Sequence, residues 1–116
     1  MNTIATLVQN VSDLDAATTL WRALLDTEPH TTTPYYVGFN VGGLEIGLAP
    51  ANPAGPAAPG APVPFAGVED IEAGVAALLA AGATLAQAPT AVGGGTTIAT
   101  VTDADGATLG LIHRQA

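Results

Sequence analysis

The chain has 116 residues, 48% of them hydrophobic and 10% charged, with a formal net charge of −8 and no cysteine. That length buries one core but not two independent ones, and the apolar share excludes a disordered chain. Only Arg22 and Arg114 are cationic, so no basic stripe for nucleic acid or an anionic membrane can be assembled. Without thiols there is no disulfide, thiolate metal site or cysteine nucleophile. No apolar run approaches the ~20 residues of a membrane span and the N-terminus lacks a signal-peptide pattern, so a cytoplasmic protein is expected.

In chain order, the β-branched stretch 3–9 reads as a strand. Ser12 with Asp15 three residues on has the form of a capping box, and a helix follows to about Asp26. Leu14, Ala17, Leu20, Trp21, Leu24 and Leu25 are assigned to its apolar stripe, with Trp21 packing onto the sheet. Pro29 and Pro34 bracket a Thr-rich loop with a short strand near His30–Thr33. Tyr35–Val41 alternates as a strand, Gly42-Gly43 makes a turn, and Leu44–Ala49 is a further strand. Residues 1–49 therefore read as a βαβββ unit.

Pro50, Pro53, Pro56, Pro59 and Pro62 recur every third residue, the period of polyproline II, so 50–62 reads as a semi-stiff linker. Residues 63–116 repeat the first plan. Val63–Gly67 is a strand, Asp70–Ala81 a helix ended by Gly82, and Leu85–Ala88 a weak strand. Gly93-Gly94-Gly95 forms a mobile loop, Thr96–Thr102 a strand, Asp105-Gly106 a turn, and Thr108–His113 the last strand. Asp103, Asp105 and Gly106 lack the distal bidentate glutamate of a calcium loop. The glycine run leads into a strand, whereas phosphate loops open helices.

The two units also share wording. Val11-Ser12-Asp13-Leu14-Asp15-Ala16 returns as Val68-Glu69-Asp70-Ile71-Glu72-Ala73, and Gly43-Leu44-Glu45-Ile46-Gly47-Leu48 as Gly106-Ala107-Thr108-Leu109-Gly110-Leu111. With the Gly-Gly-Gly…Asp-x-Asp-Gly…Leu-x-Leu-Ile ending, this doubled pattern resembles the vicinal oxygen chelate superfamily over nearly the whole chain outside the linker. That group includes glyoxalase I, bleomycin resistance proteins, extradiol dioxygenases, methylmalonyl-CoA epimerase and fosfomycin resistance enzymes. The resemblance implies an α+β fold of two βαβββ units forming a curled mixed sheet with a concave cleft.

It also implies metal-binding His or Glu at four strand positions, which fall here on Thr6, Gly47, Val63 and Gly110. None of the four offers the carboxylate or imidazole a divalent metal needs, and a slip of one residue does not help. No metal and no cofactor are therefore expected. The remaining candidates, His30 in a loop and His113 at a strand end, share no close spacing and read as polar residues rather than ligands.

Taking those four positions as inward assigns the faces by alternation. Ile4, Thr6 and Val8 line the cleft from the first strand, and Glu45, Gly47 and Ala49 from the fourth. Val63 and Phe65 line it from the fifth, and Thr108, Gly110, Ile112 and Arg114 from the last. Leu44, Ile46, Leu48, Leu109 and Leu111 face the helices. Of Tyr35, Tyr36 and Phe39, one alternate set faces the cleft. The expected site is apolar and roomy at its two glycines, suited to a hydrophobic or aromatic small molecule. The glycines have a second explanation, close packing of a neighbour.

Two functions follow. One is a metal-free binding protein of the bleomycin resistance type that sequesters or carries such a molecule. The other is a metal-independent isomerase or lyase with Glu45 as general base, although the sequence supplies Glu45 with no orienting partner. A symmetric homodimer is expected, because sheet edges and apolar clefts are usually covered.

Overall fold

The computed structural model describes residues 1–51 and 60–115. It contains β1 (Ile4–Val11), α1 (Leu14–Leu25), β2 (Thr31–Thr32), β3 (Val37–Val41), β4 (Leu44–Pro50), β5 (Val63–Gly67), α2 (Ile71–Ala80), β6 (Thr84–Gly93), β7 (Thr96–Thr102) and β8 (Thr108–Arg114). The chain divides into two compact units, Thr6–Pro62 and Val63–Ala116 together with Met1–Ala5. The architecture is the α+β, doubled βαβββ arrangement predicted from the repeat. The polyproline reading of the linker falls mainly on residues outside the described ones.

In the unit Thr6–Pro62, β1 runs parallel to β4, β4 antiparallel to β3, and β3 antiparallel to β2. The strand order is β2-β3-β4-β1. Phe39, Leu48, Val37 and Ile46 form its buried core, against which Leu7, Leu14, Ala17, Trp21, Leu25 and Leu44 pack. Trp21 adds a hydrogen bond from its indole N–H to Gln9 Oε1 (2.9 Å). Leu20 and Leu24, assigned to the same stripe, are instead 71% and 73% exposed. At about 100° per residue they fall to one side of the line through Leu14, Ala17, Trp21 and Leu25.

The helix starts on Asp13, not Ser12. Asp13 C=O accepts the first helical bond from Ala17 N–H (3.0 Å), and its carboxylate accepts from Ala16 N–H (3.0 Å). Ser12 stands one residue too early to reach an orphan amide. Asp26 ends the helix in the left-handed region (φ 51°).

The second unit repeats the plan. Here β5 is parallel to β8, β8 antiparallel to β7, and β7 antiparallel to β6, in the order β5-β8-β7-β6. Gly67 N–H donates to Thr3 C=O (2.9 Å), which ties the N-terminal segment to this unit. Val75, Ala99 and Leu111 form the core, with Ala66, Val68, Ile71 and Leu78 packed on it. Asp70 caps α2 as Asp13 caps α1 (Ala73 N–H to Oδ1, 3.0 Å).

Two sequence expectations change here. β6 is ten residues long, not a short strand at Leu85–Ala88. Its register slips between Gln87 and Thr90, around Pro89, which has no N–H to pair, and each slip breaks the alternation that marks a strand. Gly93, at the end of β6, pairs with Thr96, so the expected mobile loop is a two-residue hairpin turn at Gly94-Gly95. All three glycines are at positive φ, and Gln115 N–H donates to Gly95 C=O (3.0 Å). Among the described residues no helix is long and apolar enough to cross a membrane.

The caps give a direct test. Asp13→Ala and Asp70→Ala should each cost about 1 kcal/mol, while Ser12→Ala should stay within about 0.5 kcal/mol. Urea unfolding of the three variants checks this.

Candidate functional site

Alternation on β4 sends Leu44, Ile46 and Leu48 to the α1 side and Glu45, Gly47 and Ala49 to the other. On β3 it sends Val37 and Phe39 to the α1 side and Gly38 and Asn40 to the other. The two-residue turn at Gly42-Gly43 (φ 59° and 91°) pairs Asn40 with Glu45 and Gly38 with Gly47. Two residues without a Cβ therefore lie side by side, next to the only carboxylate on that face of β3 and β4.

Tyr36 fills the space they leave. Its position is set by a turn in which Thr33 Oγ1 accepts from Tyr35 N–H (3.1 Å) and Tyr36 N–H (2.9 Å), while Thr33 N–H donates to Tyr36 C=O (2.9 Å). A Cβ on Gly47 would stand 2.9 Å from both Tyr36 Cε1 and its hydroxyl oxygen. A Cβ on Gly38 would stand 2.6 Å from Glu45 Oε2, 2.8 Å from Tyr36 Cε2 and 2.9 Å from His30 Nε2. Three polar side chains thus converge above Gly38.

Their hydrogen bonds form a chain. Tyr36 O–H donates to Glu45 Oε2, His30 Nε2 lies 2.8 Å from Glu45 Oε1, and His30 Nδ1 lies 2.7 Å from Thr31 Oγ1. With Glu45 ionised and His30 neutral, Nε2–H donates to the carboxylate and Nδ1 accepts from the Thr31 hydroxyl, so every proton has a place. His30 is brought there by its N–H bond to Gly38 C=O (2.9 Å), and the Glu45 backbone is fixed by Thr6 Oγ1 donating to its C=O (2.9 Å). The side chains of His30 and Glu45 are 46% and 21% exposed, so the cluster opens to solvent through the histidine. This arrangement can anchor a polar group or move a proton through Glu45 and His30.

Several predicted site residues land elsewhere. Phe39 is fully buried in the α1 core and Tyr35 is 80% exposed, so Tyr36 alone of the three aromatics joins Glu45 and Gly47. Tyr35 has the parity of Val37 and Phe39 rather than of Gly38, and because β3 begins only at Val37 it stays in solvent instead of joining their core. The expected room at the glycines is taken up: Tyr36 lies over Gly47, and Phe65, the register partner of Gly110, lies so close that a Cβ there would collide with its ring. Glu45 has the partners that the sequence did not supply, and His30 is one of them. Ile4 is exposed, Val8, Val63 and Thr108 are half-buried, and Ile112 is buried. Ile112 and Arg114 border an open depression of about 600 Å³ with Met1–Thr3, Ala5 and Gly67–Glu69. His113 Nδ1 is 2.9 Å from Val68 C=O, so it serves the second unit's own structure.

The divalent metal implied by the resemblance does not fit. Thr6 is buried with its hydroxyl proton on Glu45 C=O, Val63 has no donor atom, and rings cover Gly47 and Gly110. Among the described residues no three His, Asp or Glu side chains gather where they could hold an ion.

The glycines predict a sharp contrast. Gly38→Ala and Gly47→Ala should each lose about 1–3 kcal/mol through overpacking. Gly67→Ala, whose Cβ would meet its nearest neighbour at 3.8 Å, should stay within about 0.5 kcal/mol. Thermal melts of the three variants measure it.

Among solved structures, the chain is similar to a Legionella pneumophila protein described as an NAD-dependent benzaldehyde dehydrogenase (19% identity, TM-score 0.76, covering 95% of this chain and 98% of that one). It is also similar to a single-residue variant of Streptomyces coelicolor methylmalonyl-CoA epimerase in complex with 2-nitronate-propionyl-CoA (20%, 0.71, 97% and 97%). A third is the hypothetical protein BH1468 of Bacillus halodurans C-125 (14%, 0.74, 99% and 96%). At these identities the likeness is one of fold. No curated protein sequence matches. The family described as the Glyoxalase/Bleomycin resistance protein/Dioxygenase superfamily matches residues 3–111. The chain belongs to the glyoxalase/bleomycin resistance protein/dioxygenase superfamily.

Proposed function

We propose that this protein binds a small hydrophobic or aromatic molecule without using the superfamily's metal, with the Tyr36–Glu45–His30 cluster as the polar anchor. The observation that carries the reading is the fate of the chelating positions. Where the fold would direct donor atoms, this chain has Thr6, Val63 and two glycines covered by the rings of Tyr36 and Phe65. A ligand held here meets an aromatic ring and a hydrogen-bonded carboxylate, the usual mix of apolar wall and few polar anchors. The protein is proposed to work as a cytoplasmic homodimer, so light scattering should give twice the 11.4 kDa chain mass, and the monomer mass would count against it.

A second reading is a metal-independent isomerase or lyase step with Glu45 as base. It is favoured by one observation: both carboxylate oxygens are held by side chains that carry exchangeable protons. Oriented bases of this kind are what proton transfer needs.

Elemental analysis of the purified, tag-free protein should find no stoichiometric transition metal. Nickel, zinc, manganese and iron(II) should leave its melting temperature unchanged. About one tightly held metal per chain would overturn the proposal. Glu45→Gln separates the two readings once a retained metabolite has been identified by mass spectrometry. Binding that survives while turnover disappears supports the base, and binding weakened with no turnover in either form supports the anchor.

A further inference from the structure

The chain has only two cationic side chains. Arg22 is paired with Glu28 at 3.0 Å. Arg114 is exposed and makes no ion pair or side-chain hydrogen bond with another described residue. It stands on the open depression of about 600 Å³ in the unit that contains Val63–Ala116 and Met1–Ala5. Asn2 and Thr3 also line that depression, and their side chains have no hydrogen-bond partner among the described residues. Buried Ile112 and half-buried Val68 supply apolar wall. Unused donors therefore collect around a mixed hollow, in which Ile112 and Val68 form the apolar part of the wall.

We propose that this depression is a second binding site, for a small monocarboxylic acid with an apolar body. A guanidinium presents paired N–H donors that match the two oxygens of a carboxylate, and Asn2 and Thr3 can add neutral hydrogen bonds. The body of the ligand covers Ile112 and Val68. Glu69, also on the rim, sets the charge of the ligand: its carboxylate repels a second negative charge, so a monoanion is accepted and a phosphate or dicarboxylate is rejected. The strongly negative chain as a whole acts in the same direction. The site stands on residues other than Glu45, so Glu45→Gln leaves it intact.

The test is a titration of the whole chain with phenylacetate, followed by amide chemical shifts, with neutral phenylacetamide and inorganic phosphate as comparisons. Phenylacetate should shift the Gly67, Val68 and Ile112 amides saturably. Phenylacetamide should bind at least about tenfold more weakly, and Arg114→Gln should reduce phenylacetate to the amide's level. Glu69→Gln should bind phenylacetate at least as tightly as the parent and gain affinity for phosphate. The proposal is overturned if the parent shows no saturable shift, if acid and amide bind alike, if the shifts map elsewhere, or if folded Arg114→Gln binds as the parent does. Should Arg114→Gln fail to fold, the acid-to-amide ratio in the parent decides the question.

Discussion

Everything distinctive in the first unit depends on the absence of two methyl groups. Because Gly38 and Gly47 face each other across the β3–β4 ladder, a tyrosine ring can lie directly on the backbone. With the ring there, its hydroxyl reaches Glu45, and His30 reaches the same carboxylate from the far side. A side chain at either glycine would meet the ring or the carboxylate at distances real Cβ atoms do not adopt. Shape comes first here, and the hydrogen bonds follow from it.

The second unit uses the same device with different parts. Gly110 corresponds to Gly47 in the repeat and is also covered by an aromatic ring, but that ring is Phe65 on the neighbouring parallel strand. Phenylalanine brings no hydroxyl, and Thr108 stands where the first unit has Glu45. Each unit thus sets an aromatic ring over the glycine of its repeated Gly-turn-strand segment. Only one of them has built a polar cluster on top.

The architecture was legible because period and punctuation agreed. β5 and β7 match their predicted bounds, the aliphatic residues of β4 lie under α1 as alternation required, and Gly42-Gly43 makes the turn it should. The cap at Asp13 was missed because Ser12 and Asp13 are both good capping residues and only the bond to Ala17 separates them. The cluster was half legible. A two-residue turn fixes the β3–β4 register, so Gly38 opposite Gly47 could have been read from the sequence, and Tyr36 shares their parity. His30 could not, since it arrives from a loop through a backbone bond to Gly38, and no local pattern encodes that approach. The roomy cleft was misread because a glycine on a strand says that something is close without saying whether it is a ligand or a ring.

The ring of Tyr36 and its hydroxyl answer to different constraints. The ring covers Gly38 and Gly47, as Phe65 covers Gly110, and any flat six-membered ring of that size meets this requirement. The single phenolic oxygen is what joins Glu45. One atom therefore separates a filler from a functional group, and the two roles can change independently. The first unit can lose or regain that hydrogen bond through one oxygen while a ring still covers the glycines, which lets a duplicated fold hold one half constant in form while its polar contacts drift.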